Sequence, residues 1–237
     1  MDFLYKYCYK ACFLPGESTP ICLTGHSRRG DCAFCEQKAR FFDFRLTIIT
    51  LPAFFKEEAE CIGRLFEAGL ESLHLRKPGC SETEMRDLIE TIAPQYRCRM
   101  IIHGHHHLAK EYGLKGIHLN STCETVPEGY DDMIAGRSCH SVGEAAHYGR
   151  ICDYVFLSPV FDSISKKGYR AAFSLSELAA SFKDGTLGHN VIALGGIDDS
   201  NIIPVAEAGF AGAALLGYIW ENPLERFNTI RQKISSK

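Results

Sequence analysis

The chain has 237 residues, of which 46% are hydrophobic and 23% are charged, and its formal net charge at pH 7 is -3. This is the composition of a soluble globular protein that can bury a sizeable core. The small negative charge argues against binding to nucleic acid or to an anionic membrane. No apolar segment reaches the roughly 18 residues of a membrane span. We therefore predict no nucleic-acid partner and no membrane partner.

Cysteine usage and the N-terminus indicate the cellular compartment. The 11 cysteines are odd in number and mostly isolated, so a disulfide framework is not expected. The first 16 residues are interrupted by Asp2, Lys6 and Lys10, and they lack the unbroken apolar segment of a secretory signal. A cytoplasmic protein with reduced thiols is the prediction.

Residues 1–44 differ from the rest of the chain, because no helical or strand period persists in them. Cys32 and Cys35 have the spacing of a zinc-binding pair, with Cys22 and His26 nearby. A second well-spaced pair is absent, so we predict an irregular Cys-rich extension without a metal site. Residues 45–237 are predicted to form one domain.

From Arg45 onward, short β-branched runs alternate with amphipathic helical stretches. The predicted strands are 46–51, 72–76, 100–103, 116–120, 133–137, 154–158, 191–195 and 212–216. The predicted helices are 57–68, one from Ser81 with a capping box to Glu84, 105–112, 142–148, 174–182, 200–208 and one from Asn222. Such βα alternation implies a parallel sheet with right-handed crossovers. Eight units of this length predict a (β/α)₈ barrel.

An open, doubly wound sheet is the alternative fold. It would carry a Gly-rich turn after the first strand, and this chain has none there.

In a barrel of this kind the active site lies at the C-terminal ends of the strands. Gly195 and Gly196 follow the seventh predicted strand, and Gly217 follows the eighth. Glycine lets the backbone approach a phosphate closely, and a helix opening at 198–200 would add N–H groups, so we predict a phosphate-binding loop. A tight turn that merely needs glycine is the alternative.

Cationic and polar side chains follow other strands. Arg76 and Lys166 could bind an anionic ligand, although either could also be a solvated surface charge. The remaining predicted binding residues at the strand ends are His74, His103, His118, Ser163 and Ser165.

Histidines supply the candidates for proton transfer. His140 lies in the polar sequence Ser-Cys-His-Ser after the fifth strand, and imidazole is a natural proton shuttle near neutral pH. A capping or core histidine is the alternative. The HGHHH stretch at 103–107 could hold a transition metal, but consecutive residues at a helix start do not face one way. We therefore predict no metal there.

Together and in this order, several segments resemble the thiamine phosphate synthase / TenI family, from Leu46 to about Lys233. The first 44 residues have no counterpart in it. The matching segments are HLRKP (74–78), KGIHLN (115–120), RSCHS (137–141), DYVFLSPVFDSISKKG (153–168) and ALGGI (193–197).

The resemblance implies one of two chemistries. Synthases join a pyrimidine pyrophosphate to a thiazole phosphate with Mg²⁺ and release pyrophosphate, whereas TenI-type proteins aromatise a thiazole carboxylate phosphate by moving a proton. In both groups the Gly-Gly-Ile loop binds the thiazole phosphate. The synthase pattern has an Asn-Asp pair after the third strand and an Asp after the fourth. This chain has His103, Gly104 and Cys123 at those positions, so the carboxylates that Mg²⁺ prefers are missing.

Two further positions favour the TenI type: His74 stands where synthases have Gln, and His140 matches the proton-shuttling histidine. We therefore expect a TenI-like tautomerase without a metal cofactor, in which His140 and Lys166 are catalytic. A true synthase using Mg²⁺ is the alternative in the same family, and a non-catalytic binder of a phosphorylated thiazole is the alternative in another class. The family also suggests a homo-oligomer.

Overall fold

In a computed structural model, the structure describes residues 44–120, 123–162 and 173–236. Eight parallel strands pair in sequence order and close into a barrel, because β1 pairs with both β2 and β8. The strands are β1 (Arg45–Ile49), β2 (Ser72–Leu75), β3 (Met100–Ile102), β4 (Gly116–Leu119), β5 (Ile134–Cys139), β6 (Tyr154–Leu157), β7 (Val191–Leu194) and β8 (Gly212–Leu215). The predicted (β/α)₈ barrel is confirmed.

Helices cover the outside of the barrel. They are α1 (Glu58–Glu67), α2 (Glu82–Thr91), α3 (His107–Glu111), α4 (Val142–Tyr148), α5 (Leu175–Lys183), α6 (Ile202–Ala208) and α7 (Pro223–Ser235). Short 3₁₀ turns lie at Pro94–Arg99 and Ile219–Glu221. The capping box predicted for Ser81 and Glu84 is present at the start of α2. None of the helices in the three described ranges is long and apolar enough to cross a membrane.

Successive side chains point to opposite faces of each strand, so the core consists of two clusters. Residues such as Ile48, Leu73 and Val155 face the helices in the larger cluster. Their neighbours face the barrel interior and form a second cluster: Ile49, Ile101, Tyr154, Phe156, Ile192 and Ala214. Gly136 on β5 makes room for one of these side chains, because a Cβ there would lie 1.9 Å from the Tyr154 ring. This part of the barrel interior is therefore filled by side chains.

Three predicted element boundaries were wrong by two residues or more in ways that affect the site. Strand β5 runs on to Cys139, α3 begins at His107 instead of His105, and α6 begins at Ile202 instead of Ser200. His105 has a positive φ of 51°, which is incompatible with a helical turn. The cysteines of residues 1–43 and the predicted site residues Ser163, Ser165 and Lys166 lie outside the described residues.

Candidate active site

Three histidines meet at the C-terminal end of the barrel interior. His74 on β2 and His118 on β4 are 1% and 2% exposed, and His103, which directly follows β3, is half-buried. The Nδ1 atom of His74 lies 2.9 Å from Nε2 of His103, and the His103 ring stacks on His118 with centroids 4.1 Å apart. The strands thus bring together three residues that were predicted separately as ligand-binding.

The surroundings of the cluster keep all three imidazoles neutral. Burial lowers the pKa of His74 and of His103 well below the usual value, and the neighbouring histidines act in the same direction. Burial also lowers the pKa of His118 to about 3, with further lowering by His106, Arg76 and Arg137. At neutral pH each ring therefore offers one N–H and one lone pair.

Two side chains below the cluster fix the orientation of His118. Its Nδ1 lies 2.9 Å from the Tyr154 hydroxyl, and its Nε2 lies 2.9 Å from Oγ of Ser138. Burial raises the pKa of Tyr154 well above its usual value, so the phenol stays protonated. Tyr154 was not predicted as a site residue. The signal was available, because Tyr154 alternates with Val155 on β6 and so faces the interior with Phe156.

Magnesium does not fit the donors at the ends of β3 and β4. The residues that stand at the expected carboxylate positions are His103, Gly104 and Cys123, and the Cys123 thiol contacts the Thr125 carbonyl. Mg²⁺ requires oxygen ligands in a near-octahedral arrangement, usually from one or two carboxylates. Neutral imidazoles in a buried cluster do not provide them.

The Gly195–Gly196 loop follows β7 and packs against the segment after β6. Both glycines have positive φ values, 97° and 66°. A Cβ on Gly196 would lie 2.4 Å from the Asp162 carbonyl oxygen, and one on Gly195 would lie 2.8 Å from Cα of Pro159. Packing and backbone conformation thus already require glycine here, as the tight-turn alternative anticipated.

The turn after this loop differs from the predicted helix start. The Asp198 N–H donates to Oδ1 of Asn201, and the Ser200 N–H donates to Oδ1 of Asp198. These two N–H groups, which lie within the predicted helix start at 198–200, are therefore already paired within the turn. Gly217, two residues beyond β8, is half-buried. Phosphate binding by Gly195, Gly196 and Gly217 stays a prediction.

His140 stands at the mouth of the barrel. His140 directly follows the end of β5 at Cys139, and it is exposed. Its Nδ1 lies 3.0 Å from the Ser158 carbonyl oxygen at the end of β6. A carbonyl only accepts, so Nδ1 carries the proton and Nε2 has the free lone pair. In the neutral form of this exposed imidazole, Nε2 can accept a proton.

Two cations follow β2 and differ in role. The Arg76 guanidinium is half-buried and makes no hydrogen bond or ion pair within the three described ranges. Its charge contributes to the lowered pKa of both His103 and His118, although burial is the main cause for each. Lys77 is instead buried, with Nζ 2.6 Å from the Glu58 carboxylate and 2.9 Å from the Ala53 carbonyl. Arg76 is available to an anion, whereas Lys77 ties the β2–α2 loop to α1.

The side chains of the HGHHH stretch turn to different partners and do not form a ligand set by themselves. His105 contacts the Cys80 carbonyl, His106 contacts the His118 carbonyl, and His107 lies beside the Glu82 carboxylate. Only His103 from this stretch joins the interior cluster.

A model of the family described as thiamine monophosphate synthase matches residues 46–219. The match covers nearly the whole barrel and more than half of the chain. The chain belongs to the thiamine monophosphate synthase family. This family assignment confirms the predicted resemblance and places the chain in thiamine biosynthesis.

Named relatives agree with the family. A putative thiamine-phosphate synthase from Geobacter sulfurreducens is 28% identical over 163 residues, which are 65% of this chain and 76% of the relative. A thiamine-phosphate synthase from Limosilactobacillus fermentum is 24% identical over 164 residues, with the same coverage of 65% and 76%. These names support the prediction of an enzyme. Both names describe transferases, but they do not decide whether this chain is a synthase or a tautomerase.

A solved structure extends the similarity to the fold. Thiamine phosphate pyrophosphorylase from Bacteroides thetaiotaomicron superposes with a TM-score of 0.72 at 33% identity, covering 81% of this chain and 98% of that one. The corresponding protein from Pyrococcus furiosus, at 21% identity, gives a TM-score of 0.68 and supports the fold alone.

Proposed function

We propose that this chain is a TenI-like tautomerase that aromatises a thiazole carboxylate phosphate. The observation that carries the proposal is the donor set after β3 and β4. A neutral, half-buried imidazole and a glycine stand where the synthase pattern has its Asn-Asp pair. A departing pyrophosphate needs a divalent cation to neutralise its developing charge. A proton transfer produces no such leaving group and needs no magnesium.

His140 acts as the general base and acid in this proposal. Its Nε2 takes a proton from one carbon of the substrate's π system and a proton returns to another carbon. One C–H bond is thus broken, one is formed, and no group leaves. The bond from Nδ1 to the Ser158 carbonyl keeps the ring in the required tautomer. Because Ser158–Phe161 also packs on Gly195 and Gly196, the base and the loop for the phosphate are held by the same segment.

The remaining roles follow from charge. Arg76, whose guanidinium makes no hydrogen bond or ion pair within the three described ranges, binds an anionic group of the substrate, and Lys166 acts with it through its charge. Gly195, Gly196 and Gly217 bind the phosphate. Of the histidines in the cluster, His103 is the least buried and contacts the heterocycle, with His74 and His118 beneath it. Ser163 and Ser165 complete the predicted binding residues. A cytoplasmic homo-oligomer stays the expectation for the assembly.

The proposal predicts that thiazole aromatisation does not respond to magnesium. Purified protein should convert the thiazole carboxylate phosphate tautomer at the same rate with and without added Mg²⁺, because no step separates a pyrophosphate. The rate is followed by the ultraviolet absorbance of the aromatic ring. A parallel reaction contains pyrimidine pyrophosphate, thiazole phosphate and Mg²⁺. Pyrophosphate release at an enzymatic rate there would establish the synthase instead, and ligand binding without turnover in either reaction would establish a non-catalytic binder.

A further inference from the structure

We propose that His74, His103 and His118 form a binding site for one divalent transition-metal ion of the zinc class, with a fourth coordination position open toward the mouth of the barrel. This inference does not depend on the tautomerase proposal, because it concerns uptake of a metal and assigns the metal no step in the proton transfer. It also differs from the magnesium site of synthases in its ligands, which are nitrogen atoms rather than carboxylate oxygens.

The geometry of the cluster carries the proposal. One ring nitrogen from each histidine lies within 4.8 Å of the others, and His74 Nδ1 is 2.9 Å from His103 Nε2. Tetrahedral zinc with Zn–N bonds of about 2.0 Å holds its nitrogens about 3.3 Å apart. The centroid of the His74 ring lies 5.1 Å from that of His103 and 5.6 Å from that of His118. Metal binding would have to open the stacking of His103 on His118, with ring centroids 4.1 Å apart, and would replace the present contact between His74 Nδ1 and His103 Nε2.

The chemistry of the donors selects the class of metal. Imidazole suits zinc, copper, nickel and iron, whereas magnesium and calcium prefer oxygen. Each imidazole binds a metal through the lone pair of its neutral form, so uptake releases any proton that the ring carries. The described cluster contains no carboxylate, so an ion there would keep its double positive charge and favour an anion at its fourth position.

The Tyr154 hydroxyl is placed as the hydrogen-bond partner of one proposed metal ligand, His118. Metal-bound histidines nearly always use their second nitrogen in a hydrogen bond, which fixes the ring and its tautomer. If Nε2 of His118 binds the ion, Ser138 is displaced and Nδ1–H continues to donate to the Tyr154 hydroxyl. The glycine at 136 is what allows the Tyr154 ring to lie under His118.

Access to the site is from the mouth. His74 and His118 are anchored on β2 and β4 and buried, whereas His103 lies beyond the end of β3 and is half-buried. A site with three protein nitrogens and one position for solvent or substrate has the coordination of catalytic rather than structural zinc. Arg76 directly follows β2, the strand that carries His74, and its positive charge favours an anionic ligand at this end of the barrel.

The test uses the full chain, stripped of metal by a chelator and then titrated with Co²⁺ and Zn²⁺. We expect Co²⁺ to give the visible absorption of a tetrahedral ion with nitrogen ligands, and Zn²⁺ to displace it at one equivalent. His103→Asn and His118→Asn should each weaken Zn²⁺ binding at this site by more than about 100-fold, because loss of even an outer hydrogen-bond partner costs about 10–100-fold. The exposed His189 offers a matched control, and His189→Asn should leave the affinity unchanged.

The N-terminal cysteines are present in every variant, and thiolate ligands to Co²⁺ give strong near-ultraviolet charge-transfer bands that imidazoles do not. Loss of the visible bands in His103→Asn, with any thiolate bands retained, supports the site. Equal Co²⁺ spectra and equal Zn²⁺ affinities in wild type, His103→Asn and His189→Asn would overturn it. Because His103 is half-buried, this variant keeps the test decisive even if His118→Asn fails to fold. Tautomerase activity enters none of these readouts.

Discussion

Replacement of His140 by alanine is expected to lower the turnover of the thiazole carboxylate phosphate by about 10³-fold, a typical loss when a general acid–base group is removed. We expect this variant to bind thiazole phosphate with the same affinity as the wild type. The reason lies in the geometry of this side chain. Its Nδ1 donates to the Ser158 carbonyl, and within residues 44–120, 123–162 and 173–236 its Nε2 makes no hydrogen bond and the ring makes none with the Gly195–Gly196 loop.

The His140 experiment separates chemistry from binding. Turnover is measured by absorbance and binding by calorimetry with the aromatic thiazole phosphate. His189→Ala removes an exposed imidazole far along the chain and serves as the control. A variant that turns over as fast as wild type would remove His140 from the mechanism. A variant that loses binding and turnover together would make His140 a binding residue instead.

Replacement of Lys77 by methionine is expected to destabilise the fold by about 3–5 kcal/mol, the usual cost of leaving a buried charge without its partner. The Lys77 ammonium lies 2.6 and 2.7 Å from the two Glu58 oxygens, and the side chains are 0% and 3% exposed. Methionine fills the space of the aliphatic stem but cannot neutralise the carboxylate. The free energy of unfolding from denaturant titration measures the effect, and Lys183→Met at an exposed position is the control.

The same variant should have a characteristic pH dependence. Burial raises the pKa of Glu58, and the Lys77 ammonium opposes that rise. Without Lys77 the folded-state pKa rises further above the unfolded value. The folded state then binds more protons, so stability falls as the pH rises from the unfolded pKa toward the folded pKa. The loss caused by Lys77→Met should therefore be smaller at pH 5.5 than at pH 7.5. If Lys77→Met lowers the free energy of unfolding equally at both pH values, the unpaired charge of Glu58 is not the cause of the destabilisation.

The fold was largely predictable because local signals agree with one another. Strand β6, for example, is an apolar run with β-branched and aromatic residues. Helix α2 begins at a capping box that can be recognised directly from the spacing of Ser81 and Glu84. The start of α3 was not predictable from its own residues. There, His105 and His106 turn away to bond the carbonyls of Cys80 and His118, and these tertiary contacts replace the first helical turn.

The candidate site was predicted residue by residue but not as an arrangement. Position at or just beyond the C-terminal end of a strand was enough to select His74, His103, His118 and His140. The meeting of the first three depends on barrel closure and on which face each strand turns inward, and these are properties of the whole sheet. The hydrogen bond between His118 and Tyr154 depends in addition on Gly136, because any side chain there would collide with the Tyr154 ring.

The most direct test of the account is a crystal structure of the protein soaked with thiazole phosphate and excess Mg²⁺. The account predicts the phosphate at the backbone of Gly195, Gly196 and Gly217, the thiazole ring within reach of Nε2 of His140, and no magnesium bound to protein carboxylates in the mouth. A magnesium ion held there by Asp or Glu side chains, with the phosphate coordinated to it, would contradict the proposed proton-transfer function.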